Sequence, residues 1–257
     1  MNGLELDRVK RFIIKTLKNV LKDNLFAVVS VGSMAWGNYK ESWSDIDILI
    51  VVEKMDLEAK HNIAIVLNIL EKRYKKHFGI NIISKQEFNN PALPAISLEG
   101  KTLQALLELK MFPDRIIFCK EKIINRIYAP TKKDIKMYSI SNIAMFLLRN
   151  RRILSSRKAE AFKDYKNIIA KGMRASFIIT KLAIQYFIFY TCSNNKEVIQ
   201  KAEELFPDFN FKTLKINLKT IDRWNKARGR SQLNSLLKLN DSFIENFSHY
   251  VFKKTKK

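Results

Sequence analysis

Residues 31–53 read VGSMAWGNYKESWSDIDILIVVE, and two aspartates stand one residue apart at the head of an apolar, β-branched run. Such a run reads as a buried strand. Side chains at i and i+2 of a strand project to the same face, so Asp45 and Asp47 come out side by side. Two close carboxylates repel, and burying them without a counter-charge is costly. A divalent cation resolves both problems. Mg²⁺ prefers one or two carboxylates completed by substrate phosphates and water. Gly32 and Ser33, with eleven residues between Ser33 and Asp45, supply the other half. A strand that ends on Gly-Ser and opens into a helix lets backbone approach a phosphate closely, and the Ser33 hydroxyl can donate to it. Each piece alone is common. The two together, in this order and spacing, predict a triphosphate cradle beside a metal site.

Working outward, helical spacing of Phe12, Ile13, Leu17, Val20 and Leu21 predicts an N-terminal amphipathic helix. Strands are expected at 26–31, 45–53, 79–84 and 115–120, helices at 57–78 and near 101–110, and a proline-bearing loop at 89–100. Beyond Pro130 the strand signal stops, and 136–155, 159–192, 195–206 and 231–252 all read as helices. The expected class is therefore α+β: a small mixed-sheet domain over 1–125, then an all-α helical bundle over 126–257.

The chain carries a formal net charge of +22. Residues 1–120 hold 18 basic and 14 acidic side chains, whereas 121–257 hold 29 and 11, so the helical half carries +18. A lysine-rich coat spread over every surface would not divide this way, and the asymmetry points to a polyanionic partner, nucleic acid first and an anionic membrane second. Cys119 and Cys192 lie far apart in no metal spacing, which predicts no disulfide, no zinc and a reducing, cytoplasmic setting. The window 175–192 approaches membrane-spanning length but contains Lys181 and Gln185, so it is read as a buried bundle helix and no membrane is expected.

The pairing of GSMAWG with SDIDILIVVE resembles the signature of the nucleotidyltransferase superfamily, the DNA polymerase β-like fold. The resemblance covers about residues 26–110, including ISLEGKTL at 96–103. It implies Mg²⁺ or Mn²⁺ on Asp45 and Asp47, and an NTP whose triphosphate rests on Gly32 and Ser33. It further implies transfer of a nucleoside monophosphate to a hydroxyl. Relatives include tRNA-modifying enzymes, toxin–antitoxin nucleotidyltransferases with inhibitory or target protein partners, and small-antibiotic adenylyltransferases. Two departures stand out. Trp36 occupies a position where many relatives have arginine, and the family's third carboxylate, carried by the next core strand, corresponds to Asn81. An amide cannot take a proton from an attacking hydroxyl. Glu53 lies about 20 Å along the strand from Asp47, too far to substitute, which leaves Glu87 and Glu99 as loop candidates.

In the helical half, Lys171, Arg174 and Lys181 fall on one helical stripe suited to nucleotide phosphates or to solvent; the first two are the candidate nucleotide contacts. Arg149, Arg151 and Arg152 lack the nearby histidine of a ribonuclease partner. Trp224 among cations suits base stacking but fits anchoring to the bundle slightly better. The leading expectation is an enzyme that transfers a nucleotide to RNA, a tRNA end included. Its competitors are a small-antibiotic adenylyltransferase and a catalytically weak binding module of the same fold.

Overall fold

Strand β1, Leu25–Val31, is apolar apart from Ser30 and buried at every residue, as a central strand covered on both faces must be. The computed structural model describes residues 3–35, 37, 39, 43–89, 108–109, 112–121, 130–155, 162–224 and 229–256. β1 pairs antiparallel with β2, Ile46–Val52, and with β4, Ile116–Cys119, while β2 pairs parallel with β3, Phe78–Ser84. The strand order is β3-β2-β1-β4. The parallel pair is made possible by a crossover helix, α3, Leu57–Tyr74. Asp56 caps its first turn by accepting from the Ala59 amide at 2.8 Å, and Lys75 ends it in the left-handed region.

The period-two alternation of β2 divides the core. Ile46, Ile48, Ile50 and Val52 pack with Val9, Ile13, Leu17 and Leu21 of α1, Gly3–Leu21, and with Ile63, Val66 and Leu70 of α3. Leu49 and Val51 pack on the opposite face with Phe26, Val29, Val31, Ile83, Phe88 and Leu109. Asp47 belongs to this second face by alternation. Among the described residues, two short helices follow strands of the sheet: α2, Gly32–Ala35, after β1 and α4, Lys85–Asn89, after β3.

Two compact units result, Met1–Thr131 and Lys132–Lys257. The second is helical throughout its described residues: α5 Lys132–Leu154, α6 Phe162–Ile188, α7 Asn195–Leu205, α8 Lys212–Ile221 and α9 Arg230–Thr255. Helix α8 was not expected from sequence; ten residues give a short amphipathic signal, and its packing against α6, α7 and α9 holds it. The apolar window near 175–192 is largely α6, which packs on α5 and α9. No helix among the described residues is long and apolar enough to cross a membrane. Phe206, Phe209, Phe211, Phe243 and Phe247 form an edge-to-face and stacked core around α9. Inside the bundle, Asn240 accepts from Ser176 and Asn217, both at 2.7 Å, and donates back to Asn217 at 3.2 Å. Cys119 and Cys192 are free thiols.

Candidate active site

Gly32 opens α2 with φ +66°, a conformation that favours glycine. A Cβ built there would stand 2.7 Å from Asp47 Oδ2. The carboxylate therefore packs onto the glycine backbone with no side chain between. The antiparallel register explains it: Val31, the last residue of β1, pairs with Asp47. Met34 is buried in the α1/α3 core and pins the turn from below, leaving Ser33 half-buried. Gly37 also has φ +66°, and its amide reaches the Met34 carbonyl at 3.5 Å. Trp36 and residues 40–42 lie outside the described residues.

Asp45 precedes β2, and Asp47 is its second residue; both are half-buried, with Ile46 fully buried between them. This answers why a buried strand carries two acids: they sit at its solvent-reached end, where β1 finishes and β2 and β3 begin. Among the described residues no group of three or more His, Cys, Asp or Glu comes together. Two hard oxygen donors fit a Mg²⁺ or Mn²⁺ ion that takes its other ligands from phosphates and water.

The parallel register places Gly79 directly beside Asp47, and Asn81 beside Leu49. Asn81 therefore shares Asp47's face but lies two residues, about 7 Å, deeper along the sheet, and it is buried. No residue of β3 is acidic. Glu87 is engaged elsewhere: it accepts from the Ser84 amide at 2.6 Å and the Ser84 hydroxyl at 2.9 Å, while its own amide donates to Ser84 Oγ at 3.2 Å. This is a capping box for α4. Glu53, at the far end of β2, pairs with Lys85 at 3.3 Å. Glu99 lies outside the described residues.

One further residue escaped sequence reasoning because only strand pairing brings it here. The Ile46 amide donates to the His77 carbonyl at 3.1 Å, which sets His77 beside Asp45, and His77 Nδ1 lies 3.0 Å from Glu71 Oε1. Elsewhere in the unit, Glu108 and Arg115 form a buried ion pair. Burial pushes the Arg115 guanidinium down to about 10.

Residues 13–103 match the family described as nucleotidyltransferase domain. This segment belongs to the nucleotidyltransferase superfamily. The whole chain is also similar in fold to spectinomycin adenyltransferase AAD(9) from Enterococcus faecialis, whose crystal structure holds ATP and spectinomycin. The likeness has a TM-score of 0.56 at 13% identity, over 95% of this chain and 100% of that one. No curated protein matches the sequence. The chain thus has a mixed sheet followed by helices, as its sequence implied.

The other predicted residues lie in the second unit. On α6, Lys171 is exposed, Arg174 is half-buried and Lys181 is half-buried between buried neighbours, where burial pushes its ammonium down. The stripe is graded and is not a uniform solvent face. Arg151 is held by Glu245 through two bonds of 2.7 and 2.6 Å. Trp224 is buried with Lys166 over its ring at 5.4 Å, the anchoring arrangement.

Proposed function

We propose that this chain transfers a nucleoside monophosphate from an NTP to a hydroxyl group on RNA. The contact between Gly32 and the Asp47 carboxylate carries the reading, because it joins a bare backbone turn to a metal-binding acid. Gly32 and Ser33 receive the triphosphate, and Asp45 and Asp47 hold Mg²⁺ or Mn²⁺. The bound ion would offset the negative charge of the phosphate oxygens. The acceptor oxygen attacks the α-phosphorus, the bond from that phosphorus to its bridging oxygen breaks, and pyrophosphate leaves. The hydroxyl proton passes to solvent or to a substrate group, since β3 provides no acid. Positioning and electrostatics dominate such transfers, so two acids suffice for a slower enzyme.

RNA is the favoured acceptor because the helical half carries +18, with Lys171 and Arg174 among its cations. The fold likeness to a spectinomycin adenyltransferase favours a second reading, adenylyl transfer to a small hydroxylated antibiotic. One experiment separates them. The protein is incubated with Mg²⁺ and α-labelled NTPs, with total RNA in one arm and spectinomycin in the other. Label entering RNA supports the first reading, and label entering spectinomycin supports the second. Asp47→Ala should abolish transfer while leaving the thermal transition within a few degrees of wild type. RNA binding with no transfer in either arm would end the catalytic reading and leave a binding module.

A further inference from the structure

The end of α6 carries a feature that nucleotide transfer leaves unused. Phe189, just past its last residue, has φ +56°, and its amide still donates to the Gln185 carbonyl at 3.0 Å. This left-handed cap position is normally taken by glycine; a bulky aromatic there is strained. Its neighbours Ile188 and Tyr190 are 44% and 40% exposed. Lysines surround these rings. Lys132 stands 5.3 Å from the Phe189 centroid, Lys136 stands 5.5 Å from Tyr186 and 5.9 Å from Phe189, and Lys201 stands 6.0 Å from Tyr190. The acids at this face are already engaged: Glu197 accepts from Tyr190 and Ser193, and Glu204 accepts from Lys201 at 2.7 Å. Neither Lys132 nor Lys136 makes an ion pair among the described residues.

We infer that this α5–α6–α7 surface is a docking site for single-stranded RNA, with Tyr186, Phe189 and Tyr190 stacking on bases and Lys132 and Lys136 meeting phosphates. Tyr190 is exposed and Tyr186 and Phe189 are half-buried, and such rings interleaved with cations recognise any base through its π-face while the ammonium groups follow the backbone. Charge complementarity selects a polyanion over an apolar protein segment. The strained cap fits this role: a ring that a glycine would relieve is kept where it reaches solvent. The inference rests on the RNA reading above and specifies where the strand is held.

The test is fluorescence anisotropy with a labelled twelve-residue oligouridylate across a salt series. Phe189→Gly suits the backbone of the cap, so it should leave thermal stability equal or higher while weakening binding about tenfold at unchanged salt slope. Tyr190→Ala is a second ring deletion with the same expectation. Lys132→Glu with Lys136→Glu should weaken binding tenfold or more and flatten the log–log slope by roughly one to two. Lys219→Glu with Lys238→Glu changes net charge equally on exposed positions of α8 and α9 and should weaken binding far less. Equal loss in that control, no loss in both ring variants, or binding to phosphatidylserine vesicles but not to the oligonucleotide would overturn the inference. Asp47→Ala should bind the oligonucleotide like wild type, which keeps the two proposals separable. Label transfer to RNA that survives loss of the patch sinks this surface alone, transfer to spectinomycin without RNA binding sinks both RNA proposals, and patch-dependent binding without transfer sinks the catalysis alone.

Discussion

Gly32 is the residue on which the candidate site turns. Its backbone is left-handed, and the space a side chain would need is filled by Asp47. Gly32→Ala should therefore destabilise the domain by about 1–3 kcal/mol and displace the carboxylate, abolishing nucleotide transfer. Gly37 has the same φ with open space around it, so Gly37→Ala should cost similar stability and leave transfer largely intact. Thermal melts paired with labelled-NTP assays on both variants check this. Equal activity in the two would mean that the Gly32–Asp47 contact has no part in the chemistry. Cys192, by contrast, is inert: burial pushes its thiol up to about 11, so it is protonated at neutral pH and has no nucleophilic role.

Among the elements, α4 engages Glu87, one of the two loop candidates for the third acid. Glu87 is the reciprocal partner of Ser84 in the cap that starts this short helix after β3. Glu87→Ala should lower stability by about 1 kcal/mol, visible in a urea midpoint, with transfer per folded molecule unchanged. Loss of transfer without loss of stability would instead make Glu87 the proton acceptor. In α6 the buried triad of Ser176, Asn217 and Asn240 is fully satisfied, and it fixes how α6, α8 and α9 meet.

Over the whole molecule, charge is the dominant property. Among the described residues of the helical unit, Arg151–Glu245, between α5 and α9, is a well-formed ion pair. Bonding from Arg151 holds the Glu245 carboxyl below its ordinary value of 4.5. A depressed carboxylate stabilises the fold above that value, and the contribution disappears as pH falls through the lower folded-state value. Wild type should therefore lose thermal stability between pH 5 and 3 more steeply than Arg151→Ala. Both residues are partly exposed, so the difference should be small and shrink with added salt.

How much of this was legible beforehand follows from range. β1, β2 and β3 and the nearness of Gly32 to Asp47 were legible because apolar periodicity and a glycine followed by a short loop are local signals. So was the α+β order, and so was the basic character of the second half, which is plain composition. What a linear chain does not carry is register. Tertiary pairing placed Gly79 beside Asp47 and buried Asn81 deeper. It also brought His77 next to Asp45. The same holds for α8, whose ten residues need neighbours to persist, and for the lysines that α5 and α7 bring to Phe189 and Tyr190. Periodicity depends on neighbours one to four residues away, whereas these contacts join segments tens of residues apart, and only folding decides which of many such pairs meet.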